Sequence, residues 1–215
     1  QEEVNVGMFD LENSPAKTAK KLAGKRDKVD YTRPDAQYDT DKLRSTLLTM
    51  QGKVRFYDRS ASRDWNDIRI AIEEMHLLDG INIFIIDPLT ALISRYASSE
   101  ANDKLNEIMT DMADLVLKYP ITIFCYSHVN PKPKGNKSHE QGGKVYSHEF
   151  TGSRAMEKWA HYGHGISRDR SEDCPPEREN ISEFRMLFDR DFGQGYSCDV
   201  MFDERTITYL EPRRY

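Results

Sequence analysis

The sequence has no run approaching the ~18 consecutive apolar residues of a membrane helix, so no membrane-spanning helix is expected. It has only three cysteines, Cys125, Cys174 and Cys198. Their odd number, wide spacing and lack of any CxxC pair argue against a disulfide framework and against a zinc knuckle. A reducing, cytosol-like compartment is the expectation that follows. Residues 1–6 open with two acids instead of a basic patch and an apolar stretch, which does not read as a secretory signal. Positive charge is not in excess either: 31 Lys and Arg against 36 Asp and Glu leave a formal charge of −5, so a nucleic-acid partner must be met by a local basic patch. Internal repeats and low-complexity segments are lacking too. What remains is a surface-rich chain of 215 residues, 38% hydrophobic and 31% charged, with the length of one domain built on one sizeable core.

Four short apolar runs rich in β-branched and aromatic residues read as strands: Val4–Leu11, Val54–Tyr57, Ile81–Ile86 and Ile121–Tyr126. INIFII and ITIFCY are apolar at nearly every position, which implies a parallel sheet covered on both faces. Amphipathic helical patterns lie between them, the first starting at Ser14-Pro15 as N-cap and first helical residue, the others over about 39–50, 64–78 and 100–118. This order is that of an α/β layered sheet with crossover connections. Beyond Ser127, residues 129–149 form a long polar loop carrying Lys132, Lys134, Lys137, Lys144, two prolines and a Gly-Gly pair. A helix over about 153–161 follows, then strands over about 183–189, 196–202 and 207–210, the last two pairing as a hairpin.

In an open α/β sheet ligands sit beyond the carboxyl ends of the strands, and there the first strand ends in Glu12, INIFII in Asp87 and ITIFCY in Ser127-His128. Asp87 suits a magnesium ligand beside a nucleotide. Singly, each residue has a plainer reading: Asp87 opens a turn with Pro88, Glu12 is a solvated helix-entry acid, and His128 is a loop histidine. Together they would converge on one crevice.

The segments VGMFDLENS, IFIIDPLTALIS, IFCYSHVNPKPKGNKSHEQGG, FTGSRAMEKW, FDRDFGQG and YLEP resemble, in that order, the motor domain of ring-shaped replicative DNA helicases. The similarity is greatest to the phage primase-helicase and Twinkle type, with the DnaB helicases more distant. It implies a RecA-like P-loop NTPase core, a mostly parallel sheet flanked by helices with a C-terminal β-hairpin, and a cytoplasmic protein of a phage or bacterial replisome. By the resemblance, Glu12 is the base that activates water, Asp87 holds magnesium, His128 senses the terminal phosphate and Arg190 is an arginine finger acting on a neighbouring subunit. Arg168 and Phe202 match groups that pack near the nucleotide base, although Phe202 reads equally as a core-facing hairpin residue. The loop 129–149 matches the DNA-binding loop, with Lys132, Lys134, Lys137 and Lys144 tracking phosphates of any base sequence. ATP or dTTP with magnesium is the implied cofactor set. Single-stranded DNA, a homo-hexameric ring, a primase domain and a replisome polymerase are the implied partners, without a membrane.

Three departures stand out. No G-x-x-x-x-G-K-S/T motif occurs; neither Gly24-Lys25-Arg26 nor Gly135-Asn136-Lys137-Ser138 fits it, so the expectation is a C-terminal part of the motor that begins after its phosphate cradle and is inactive alone. Phe188 stands two residues before the finger where the family often has lysine, and Lys158 replaces a glutamine usual in the FTGSRAMEKW helix. His161 and His164, at helical spacing, lack ligand partners, so no metal beyond magnesium is expected. The competing expectation is a non-catalytic single-stranded nucleic-acid-binding or ring-scaffold module that has lost its P-loop; a recombinase of RecA type, or its regulator, is a third.

Overall fold

The computed structural model describes residues 4–211 except 36, 59, 61 and 194. Gln194 of FDRDFGQG and Pro212 of YLEP therefore lie outside the described residues, as do residues 1–3 of the opening segment. Where length suggests one core, the chain divides into two compact units, residues 1–128 and 129–215.

The first unit alternates strands and helices: β1 (Val6–Asp10), α1 (Pro15–Asp27), α2 (Thr40–Met50), β2 (Val54–Phe56), α3 (Trp65–Asp79), β3 (Ile83–Asp87), α4 (Ser98–Lys118) and β4 (Thr122–Cys125). The four strands form one parallel sheet in the order β2-β1-β3-β4. Helix starts follow local capping chemistry. The Ser14 hydroxyl accepts from Lys17 N with Pro15 as the first helical residue, and Asp39 and Asp64 cap α2 and α3 in the same manner. Gly80, at φ 68°, takes the left-handed conformation that ends α3. The core is the face where β1 and β3 meet α3 and α4: Phe9, Phe84, Ile86, Ile68, Ile72, Leu105 and Ile108 are completely buried. Gly7 on β1 is required by this packing, since a Cβ there would stand 2.5 Å from Phe84 Cδ1.

The parallel sheet is as expected, but its coverage is not. β4 is, like β2, an edge strand of the sheet, and Phe124 and Tyr126 are each more than half exposed, so ITIFCY is not buried on both faces. Apolar side chains on an edge strand meet a neighbour on one side only among the described residues.

The second unit is a short helix and an antiparallel meander: α5 (Ser153–Trp159), β5 (Tyr162–Arg168), β6 (Ile181–Asp189), β7 (Ser197–Asp203) and β8 (Thr208–Leu210), in the order β5-β6-β7-β8. The expected hairpin is present as β7-β8, with Met201 opposite Leu210. β5 is a strand that the sequence reading missed, and it corrects the placing of His161 and His164 at helical spacing, because His164 lies inside β5. Its inner positions are Gly163 and Gly165, so the apolar half of the alternation is blank. Neighbours fill the space, the Phe188 ring coming within 2.2 Å of where a Gly163 Cβ would stand.

Candidate active site and candidate DNA loop

The parallel register sets Asp10, the last residue of β1, opposite Asp87, the last of β3, and Leu11 N donates to the Asp87 carbonyl at 2.7 Å. Two acids thus end adjacent strands, and a third, Glu12, follows in the turn into α1. His128 lies three residues past β4. Its Nε2 is 3.8 Å from Glu12 Oε1 and its Nδ1 is 2.8 Å from Thr90 Oγ1, in the turn that follows β3. Glu12, Asp87 and His128 are therefore brought together, at or just beyond the carboxyl ends of the neighbouring strands β1, β3 and β4.

The three carboxylates differ in their surroundings. Burial works to raise the Asp10 pKa, but hydrogen bonds from Thr18, Asn13 and Glu12 outweigh it and leave the group below the ordinary carboxylate range. Burial pushes the Asp87 carboxyl up; Asp10 and Glu12 push it further, while Lys21 of α1 and His128 oppose them. Among the described residues no side-chain or backbone donor is bonded to the Asp87 carboxylate. A half-buried carboxylate lacking a hydrogen-bond donor and crowded by two acids has the character of a divalent-cation ligand, so the residues present fit magnesium. Asp10, Lys21 and Thr90 were missed from sequence. For Asp10 a signal existed, an acid two residues before Glu12 at the same strand end, whereas Lys21 and Thr90 had none.

The remaining predicted site residues belong to the second unit. Arg168 donates from Nε to the Glu179 carbonyl at 2.8 Å and from Nη2 to Asn180 Oδ1 at 2.5 Å, and its guanidinium lies 5.5 Å from the Phe202 ring centroid. Arg168 and Phe202 are thus neighbours on β5 and β7, and Tyr209 of β8 adds a third group 5.3 Å from Phe202. Arg190 follows β6 directly; its Nη2 donates to the Glu157 carbonyl of α5 at 2.9 Å. Phe188, in place of the family's lysine, is spent on covering Gly163. Lys158 lies over the Trp159 ring at 4.8 Å.

Residues 129–149 are not the loose polar loop that composition implied. Val129 bridges Phe150, Gln141 bridges Asp169, and Ser147–Glu149 is a 3-10 turn. At the centre Lys132 and Glu149 form an ion pair of 2.5 Å, their side chains 8% and 9% exposed. Lys132 Nζ also donates to the Lys144 carbonyl at 2.8 Å, while Glu149 Oε2 accepts from Tyr146 N at 2.9 Å and lies 3.8 Å from His139 Nε2. Burial works to raise the Glu149 pKa, and its bonds to Lys132 and Tyr146 more than reverse this. Lys137 pairs with Asp169 at 2.9 Å and Lys144 with Glu183 at 3.4 Å, both lysines exposed, and Lys134 is exposed. A sequence rich in Lys, Gly and Pro offers little apolar surface, but a buried ion pair holds this loop instead.

No protein-family model matches the sequence, and no curated protein matches it. Solved structures do. An ATPase domain superposes with a TM-score of 0.76 at 19% identity, covering 98% of this chain and 75% of its own. A DnaB-like replicative helicase, solved with its interactions with primase, gives 0.77 at 19% identity, and this chain spans about half (51%) of its length. A KaiC-like protein from the hyperthermophilic archaea Pyrococcus horikoshii OT3 gives 0.60 at 10% identity over 96% of this chain. Among the described residues no helix is long and apolar enough to cross a membrane. The chain therefore has the RecA-like fold of the ATPase domains of DnaB-like replicative helicases.

Proposed function

We propose that the chain carries the hydrolytic residues of a nucleoside-triphosphate-driven motor that moves along single-stranded DNA and unwinds duplex, assembled as a hexameric ring. The observation that carries this reading is the convergence of Glu12, Asp87 and His128 at the carboxyl ends of three neighbouring parallel strands. Phosphoryl transfer to water needs a metal-bridged phosphate, an oriented nucleophile and positive charge near the transferred group. Asp87 would hold magnesium, which would supply positive charge to offset that of the phosphates of ATP or dTTP. Glu12, more than half exposed, accepts the proton of the attacking water. His128, steadied at Nδ1 by Thr90, presents Nε2 to the terminal phosphate. Arg190 offers its guanidinium to the site of an adjacent subunit, and Arg168 with Phe202 packs near the base.

On the loop, Lys134, Lys137 and Lys144 take DNA phosphates, a grip indifferent to sequence. Lys132 is reassigned from DNA contact to the loop's own support, because its ammonium is already bonded to Glu149 and to the Lys144 carbonyl. A primase, as in the DnaB-like neighbour, and a replisome polymerase are the proposed protein partners.

The test joins this chain to a G-x-x-x-x-G-K-S/T segment and compares Glu12 with Glu12→Gln. Nucleotide affinity is expected to hold, with DNA-stimulated hydrolysis falling by at least ~10². Hydrolysis within a few-fold of the parent would remove Glu12 as the base. A protein that binds single strands yet never binds nucleotide would instead support the non-catalytic module.

A further inference from the structure

Asp10 has no task in that chemistry, yet its surroundings are the most fully built of the site. It is 5% exposed, and both its oxygens are occupied from within the chain. Oδ1 accepts from Glu12 N at 3.2 Å, Asn13 N at 2.7 Å and Asn13 Nδ2 at 3.3 Å; Oδ2 accepts from Asn13 Nδ2 at 3.3 Å and from the Thr18 hydroxyl. A carboxylate engaged in this way has no lone pair to give a metal, unlike Asp87 one strand away. The donors fall into two groups. Glu12 and Asn13 are the turn that carries the proposed base, and Thr18, itself buried, is on α1.

We infer that Asp10 is a positioning residue: it ties the 11–13 turn to α1 and thereby fixes where the Glu12 carboxylate stands relative to Asp87 and His128. Bonds from backbone N–H to a carboxylate are among the stronger ones, and without Asp10 the Glu12 and Asn13 amides would lose these bonds and the turn its tie to Thr18 of the helix. The inference rests on reading Glu12 as the base, but it is measured without nucleotide.

The experiment is amide hydrogen exchange, with the His128 ring resonances followed in parallel, on the chain and its Asp10→Ala, Asp10→Asn and Thr18→Val variants. In Asp10→Ala the Glu12 and Asn13 amides should exchange at least ~10-fold faster while Leu11 keeps its protection. The His128 resonances should shift because Glu12 leaves its 3.8 Å pairing. Asp10→Asn retains an acceptor oxygen and should restore the resonances and most of the protection. Thr18→Val, which removes only the hydroxyl from the tie, should speed the same two amides and carries the test if the alanine variant does not fold. Unchanged exchange in these variants overturns the inference. So does faster exchange with unmoved His128 resonances, which would make Asp10 structural only. Either result leaves the hydrolysis reading standing, which falls separately if Glu12→Gln remains active.

Discussion

Replacing Lys132 by methionine separates its two possible roles, because support of the loop and contact with DNA predict opposite patterns. Methionine keeps most of the length and apolar stem of lysine and removes the ammonium, with its charge and its N–H donors to Glu149 and the Lys144 carbonyl. Glu149, 9% exposed, would retain its bond from Tyr146 N but lose the 2.5 Å partner that neutralises it. Removing one member of a buried ion pair costs about 3 to 5 kcal/mol, mostly the expense of the charge left behind; a pair lying just beneath the surface sits at the low end, about 3 kcal/mol. Replacing both partners, Lys132→Met with Glu149→Leu, leaves no orphan charge and should cost much less than the sum of the single changes. Native-state hydrogen exchange at the β6 amides reads the stability of this unit directly. Single-strand binding as a function of salt reads the DNA role: each lost phosphate contact flattens the slope by ~0.7. The expected outcome is a large loss of stability with the slope unchanged whenever the loop is folded. A change under ~1 kcal/mol together with a flattened slope would refute the reasoning and return Lys132 to the DNA-contact set.

Three further outcomes are expected. The Asp169 carboxyl is held down to about 2 by the Ser171 hydroxyl and amide and by Lys137. A folded-state value below the ordinary 3.8 means its contribution is complete above about pH 4 and disappears as pH falls through about 2. A carboxyl carbon titration by NMR with a midpoint near 4 would contradict the arrangement. The same pair competes with phosphate for Lys137, so Asp169→Asn should strengthen single-strand binding, and weaker binding would remove Lys137 from the grip. Gly7→Ala should destabilise the first unit by ~1 to 3 kcal/mol, read by hydrogen exchange at β3, since the new methyl meets the buried Phe84 ring at 2.5 and 2.7 Å. A loss below ~0.5 kcal/mol would show that Phe84 moves aside freely.

Features that rest on neighbours along the chain could be read before folding. Strands β1 to β4 and the helix starts at Ser14, Asp39 and Asp64 were legible because periodicity and capping are local physics. The strand-end placing of Glu12, Asp87 and His128 was legible because parallel strands present their ends on one side. β5 was not legible, because glycines occupy its inner positions and the groups that fill them, Phe188 and Val145, come from elsewhere in the chain. Nor was the division of labour among the carboxylates. Asp10 and Asp87 look alike in sequence, and only the folded chain gives one of them Thr18 and Asn13 as donors and, among the described residues, leaves the other without. The lysines of the 129–149 loop divide in the same way. Charge and spacing make Lys132 and Lys134 equivalent, but the buried Glu149, 17 residues away, binds one of them and lets the other face solvent. Ion pairing and burial depend on distances between segments remote in sequence, and those distances exist only once the chain has folded.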